Sequence, residues 1–144
     1  MAKNTGNKRI PVKWVRDRAK AAYDKKDCCY ICGTSVDLEL HHFNSITILL
    51  EMWATAKHYD ISTDDGILLV RDEFIQEHNS ELYDQVRTLC NKHHVALHQV
   101  FGKAPPLNST ARQERWVDIQ RDKQSGVEPR KSSAVIGSFF SKFT

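Results

Sequence analysis

Four side chains suited to soft or borderline metal ions fall into two pairs of identical spacing. Two residues separate Cys29 from Cys32, and two separate Cys90 from His93. Three thiolates and one imidazole make a tetrahedral Cys3His set that suits a structural Zn2+, and such an ion would tie together two segments distant in the chain. The competing reading is one or two buried cysteines beside an unrelated histidine, and the matching gaps favour the metal. Cys28 is a bystander next to Cys29. A second group is made only of imidazoles. His94 and His98 are four apart, so they share a face if their segment is helical, as in a two-histidine metal clamp. His41 and His42 are adjacent. On a strand they face opposite sides, so one can bind a metal while the other reaches a different target. Five of the seven histidines lie in these two short segments, a concentration that scattered surface histidines do not explain.

The elements that must position these residues can be read from the pattern. Pro11 suits a first helical position, and from there to Tyr23 the residues Val15, Ala19, Ala22 and Tyr23 share a face, with Arg16 and Lys20 on another. The Cys29–Cys32 knuckle follows. Residues 35–42 alternate Val36, Leu38 and Leu40 with Asp37 and Glu39, which predicts a strand. Ile46, Leu49, Leu50 and Trp53 are at helical spacing. Residues 62–66 predict a turn. Phe74, Ile75, His78 and Leu82 predict one helix over 71–84. Residues 86–90 predict a strand returning to the metal site. Residues 91–102 predict a helix ended by Gly102 and the Pro105-Pro106 pair. A last helix is expected from Thr110, where Thr-x-x-Gln fits a capping box, to about Lys123.

The 144 residues favour a single domain whose modest core a metal staple would support. No apolar run reaches membrane-spanning length and no secretion signal is read, so an intracellular, cytoplasmic setting is expected. The net charge of +3 hides a pattern. Residues 1–26 hold nine Lys/Arg against two Asp, residues 43–86 nine Asp/Glu against two basic residues, and residues 87–131 nine basic against four acidic. Basic flanks around an acidic middle fit a nucleic-acid face, although charge alone slightly favours plain solvated surfaces.

In this order the residues of "CYICGTSVDLELHH" and "DQVRTLCNKHH" resemble the HNH endonucleases of the ββα-metal (His-Me finger) group. "LELHH" with "HHVALH" is also similar to the nuclease domain of the DNase colicins. The resemblance covers roughly residues 29–102. It implies an α+β, helix-rich fold, with a ββα-metal core stapled by the structural zinc and flanked by N- and C-terminal helices. It implies a phage-like nuclease hydrolysing DNA phosphodiester bonds, by nicking or double-strand cleavage, to 3′-hydroxyl and 5′-phosphate ends. His42 would be the general base, and His41, His94 and His98 would hold one catalytic divalent cation, Mg2+ or Mn2+, with Ni2+, Co2+ or Zn2+ as further candidates. Gln85 stands where the family has its middle Asn and would fix the loop facing His42. His93 replaces the usual fourth Cys. The gap from His42 to Gln85 is longer than in compact members and holds an acidic helical insertion at about 45–83.

The organisation expected is a disordered basic arm at 1–10, one nuclease domain over 11–124, and a linker with an apolar tail at 125–144. Lys13, Arg16, Lys20, Arg87, Lys92 and Lys103 are candidate DNA phosphate contacts, Arg87 and Lys92 having the stronger claim because they lie inside the motif. In the tail, Ile136-x-x-Phe139-Phe140 within 133–143 is similar to sliding-clamp-binding peptides, with Ser133 in place of their Gln; packing of the tail onto the domain is the favoured alternative. Two other functions compete with the endonuclease: a zinc-stabilised DNA-binding module without catalysis, and a junction nuclease using the same chemistry.

Overall fold

The computed structural model describes residues 9–126. The expected basic arm up to Lys8 and the tail from Val127 onward, with its clamp-like stretch, lie outside the described residues. Among the described residues, no helix is long and apolar enough to cross a membrane.

The first helix, α1 (Arg9–Ala19), begins two residues before Pro11. It closes as a 3-10 turn over Lys20–Ala22 instead of running helically to Tyr23. Strands β1 (Leu38–His42) and β2 (Val86–Cys90) form one antiparallel pair with Leu38 opposite Cys90, His41 opposite Arg87 and His42 opposite Val86. The strand expected from residue 35 starts only at Leu38. Asp37 sits at φ 55°, and its carbonyl accepts from the Asn91 amide at 2.8 Å, so the chain reaches the pairing direction one residue later.

Between the strands lie α2 (Ile46–Lys57) and α3 (Asp64–Glu77). Ser45 caps α2 by accepting from the Ile48 amide. The turn expected over 62–66 is in fact the start of α3. The Thr63 hydroxyl oxygen accepts from the Gly66 amide at 3.1 Å, and Asp64 and Asp65 in the first turn favour the helix N-terminus. Gly66 is required there because a Cβ would collide with the Asp60 carbonyl oxygen. The single helix expected over 71–84 is two pieces. α3 ends at Glu77, and a short π-helical turn spans Ser80–Asp84. β2 leads directly into α4 (Asn91–Phe101), and α5 (Thr110–Gln124) closes the described chain. The capping box expected at Thr110 does not form, since Ser109 is the N-cap and makes no side-chain bond to the helix amides.

Two hydrophobic clusters result. One joins Val12 and Val15 of α1 to Leu50 and Trp53 of α2, Ile67 and Phe74 of α3, and Leu82. The other joins Cys29, Ile31, Phe43, Leu89 and Cys90 to Leu97 of α4 and Val117 of α5. The end of β1 runs from one to the other. His42 lies against the first body through Leu82, and His41 lies against the second.

Candidate functional site

The knuckle is held by its backbone. Gly33 donates to the Cys29 carbonyl at 2.9 Å and adopts φ 77°, which a side chain would resist. The Cys29 amide donates to Thr34, and the Tyr30 amide donates to Thr88 of β2, so the knuckle is docked beside the strand that ends in Cys90. Cys29, Cys32, Cys90 and His93 form a cluster whose four ligand atoms lie within 4.8 Å of one another and could hold a metal ion. Cys32 Sγ is 3.9 Å from Cys90 Sγ, and His93 Nδ1 is 3.3 Å from Cys90 Sγ and 4.0 Å from Cys29 Sγ. A tetrahedral zinc places two sulfurs about 3.8 Å apart and sulfur and nitrogen about 3.6 Å apart, so the donor set fits that ion. The Cys29 thiol lies below its ordinary pKa. Burial raises it, but N–H groups of Cys32, Cys90 and Ile31 aimed at the sulfur favour the thiolate and prevail. Burial pushes Cys90 up.

The second cluster is His41, His94 and His98, whose ligand nitrogens also lie within 4.8 Å of one another. His41 Nδ1 is 3.1 Å from His94 Nε2, which is 3.2 Å from His98 Nε2. What fixes these rings is on their far side. His41 Nε2 meets the Gln113 amide oxygen at 2.8 Å, His94 Nδ1 meets a Glu39 carboxylate oxygen at 2.7 Å, and His98 Nδ1 meets the Gly102 carbonyl at 2.7 Å. Each of those partners only accepts, so each imidazole donates its N–H outward. The remaining nitrogens carry lone pairs and point at one another. Three lone pairs at that separation repel unless a proton or a cation lies between them. Protonation is disfavoured, since burial drives His41 down to about 3 and also lowers His94 against the pull of Glu39. A cation bonded at about 2.0–2.1 Å puts neighbouring nitrogens roughly 2.9–3.4 Å apart for octahedral to tetrahedral angles, which brackets the spacing.

His42 points the other way along the strand, as alternation requires. Its Nε2–H donates to the Leu82 carbonyl at 2.9 Å, leaving Nδ1 as the acceptor. Burial lowers its pKa to about 4 despite that carbonyl, so the ring is neutral near pH 7. The Tyr23 ring lies 5.1 Å from it, and the Tyr23 hydroxyl is buried with no hydrogen-bond partner among the described residues. His41, His42, His94 and His98 all line one cleft of about 400 Å³, together with Arg16, Lys20 and Lys103. Among the described residues, no Asp or Glu lines it. A larger cleft of about 800 Å³ lies beside the knuckle.

The other expected residues are placed elsewhere. Gln85 is exposed. Its side chain accepts from Asn44, in the loop that follows His42, and donates to the Ser80 hydroxyl at 3.1 Å. Lys13 pairs with Asp17 at 3.0 Å. Lys92 is exposed beside His93 on the anchor side. The Arg87 guanidinium packs over Tyr30 and Phe43, at 5.0 and 5.3 Å from their ring centres, with Glu114 3.9 Å away. Register puts Arg87 on the same sheet face as His41, but its side chain runs to α5 and lines the larger cleft instead of the one that holds the imidazoles. Glu39 and Gln113 were missed as supports of the histidines. Alternation offered a signal for Glu39, which shares a strand face with His41 two residues on. Gln113 gave none, being 72 residues from His41.

The three imidazoles could hold a cation, and they share their cleft with Arg16, Lys20 and Lys103, an arrangement suited to phosphate esters. Residues 1–139 match the model of the nicking endonuclease family of phage T5 type, and the chain belongs to that family. It is therefore a nuclease acting on DNA. No solved structure matches it.

Proposed function

We propose that the chain is a metal-dependent endonuclease of the HNH type that cuts one strand of DNA. The observation that carries this reading is the trio of bare imidazole nitrogens, 3.1 and 3.2 Å apart, on the floor of a cleft walled by Arg16, Lys20 and Lys103. β1, β2 and α4 supply the ββα arrangement, with His41 on β1 and His94 and His98 on α4. The three histidines would hold one divalent cation, and their donor chemistry favours Mn2+, Ni2+, Co2+ or Zn2+ over Mg2+. Such an ion supplies charge relief on the scissile phosphate and on the departing oxygen. The Cys3His set holds Zn2+ as an anchor.

His42 is the general base. The Leu82 carbonyl holds its Nε2–H and orients Nδ1 to take the proton of an attacking water. The water oxygen bonds to phosphorus as the bond to the 3′ oxygen breaks, and the departing oxygen takes a proton from solvent, leaving a 5′-phosphate and a 3′-hydroxyl. Arg16, Lys20 and Lys103 hold the phosphates, and Gln85 steadies the Asn44 loop that follows the base. The test is supercoiled plasmid with Mg2+, Mn2+ or Ni2+, with and without chelator. Cation-dependent conversion to the open circle is expected. His42→Ala should slow it about 10²- to 10⁴-fold. A His42→Ala protein that cuts like the wild type removes the base from the mechanism.

A further inference from the structure

We propose that Gln113 of α5 is a positioning residue for the imidazole centre, fixing the tautomer and orientation of His41 so that its Nδ1 lone pair faces His94 and His98. The inference rests on the reading that these histidines hold a cation. Gln113 is fully buried, and so is His41. Its amide nitrogen donates to the Phe43 carbonyl and the Ser109 hydroxyl oxygen, both at 3.0 Å. The Ser109 hydroxyl hydrogen is already committed to the Pro106 carbonyl at 2.6 Å, so that oxygen acts toward Gln113 only as an acceptor. Two acceptors therefore hold the amide nitrogen. Flipping the amide would set its oxygen against the Phe43 carbonyl and leave buried groups unpaired. The oxygen is thus forced toward His41 Nε2, 2.8 Å away, which must carry the proton. Nδ1 is left bare.

The network also sets the ring plane. The Phe43 ring meets the His41 ring edge-on at 5.0 Å, and the Phe43 carbonyl is one of the two groups that hold Gln113. A metal-binding imidazole characteristically has its second nitrogen fixed in this way, and losing such a partner costs about 10- to 100-fold in metal affinity. A capping role would leave the side chain near the α5 amides. Instead it reaches across to β1.

The experiment uses the full chain carrying its anchor ion, titrated with Ni2+ by calorimetry, alongside ¹⁵N NMR of the histidine rings. Wild-type His41 should show a proton on Nε2. Gln113→Met, similar in volume but without the acceptor, should bind Ni2+ about 10- to 100-fold more weakly while its zinc content is unchanged, and His41 should become a tautomer mixture. Gln113→Glu keeps the acceptor toward His41 and, protonated, only one of the two donors toward Phe43 and Ser109, so it should bind Ni2+ more weakly than wild type but more tightly than Gln113→Met. Met binding as tightly as wild type, or Glu falling as far as Met, overturns the proposal. If Gln113→Met fails to fold, the wild-type tautomer and Gln113→Glu still decide. If the wild type binds no Ni2+ beyond its anchor ion, the cation reading fails, while the His41 tautomer still reports on Gln113.

Discussion

The two ligand clusters share one piece of chain and differ in closure. The end of β2 and the first two turns of α4 supply Cys90 and His93 to one, and His94 and His98 to the other. The sulfur-rich cluster has four protein donors, three of them buried, and its knuckle backbone is bonded to itself and to β2. Nothing remains open for a substrate. The imidazole cluster has three donors and faces a cleft that carries positive charge. A closed tetrahedral set stabilises structure, whereas an open set leaves positions for chemistry. One helical step, from His93 to His94, divides the proposed anchor from the proposed reactive centre. The anchor therefore fixes where α4 begins, and with it the placement of His94.

That contrast breaks most sharply under paired substitutions. Cys90→Ala should remove the anchor ion and most of the fold with it. Structural zinc is worth about 10 kcal/mol or more in small domains, against a total stability of about 5–15 kcal/mol. Zinc content and the thermal transition measure this, and a Cys90→Ala protein that melts like the wild type would make the anchor decorative. His98→Ala should do the reverse. Its melting should be near normal while nicking falls about a thousandfold or more, the scale of several kcal/mol of lost charge stabilisation.

Much of this was legible in the chain. The Cys-x-x-Cys and Cys-x-x-His gaps and the i, i+4 histidines name both clusters, because metal ligation constrains local spacing. Strand alternation separates His41 from His42. What could not be read was long-range. Gln113 looks like a cap residue until Ser109 proves to be the cap and the side chain turns to His41. Arg87 looks like a phosphate contact because it lies inside the motif, and only the register opposite His41 with the position of α5 sends it against Tyr30 and Phe43. The turn read over 62–66 is a capped helix start, because Ser-Thr-Asp-Asp-Gly serves both purposes and packing of Ile67 and Phe74 decides between them.

The charges sharpen the contrast at a smaller scale. Lys103→Ala, at the cleft, should lower the salt dependence of DNA binding by about one unit of logarithmic slope, as one phosphate contact does. Arg87→Ala should act on stability instead, through lost ring stacking of about 0.5–1 kcal/mol per contact. Binding measured over a range of salt, with melting of both variants, separates them. An Arg87→Ala protein that loses slope and not stability would move the DNA path toward the larger cleft, which Arg87 lines.

Tyr23 gives the finest comparison, because it is the exception within the centre. All three imidazole N–H groups there are answered by acceptors, yet the hydroxyl beside His42 is buried and answered by none among the described residues. A buried polar group without a partner costs about 1–3 kcal/mol. Tyr23→Phe should therefore melt slightly higher than the wild type, by about 1 kcal/mol or less once an ordered water is allowed for. A lower melting point would mean that the hydroxyl has a stabilising partner after all. A variant that melts higher yet nicks more slowly would assign the hydroxyl to the bound substrate, where the missing acceptor is a phosphate oxygen.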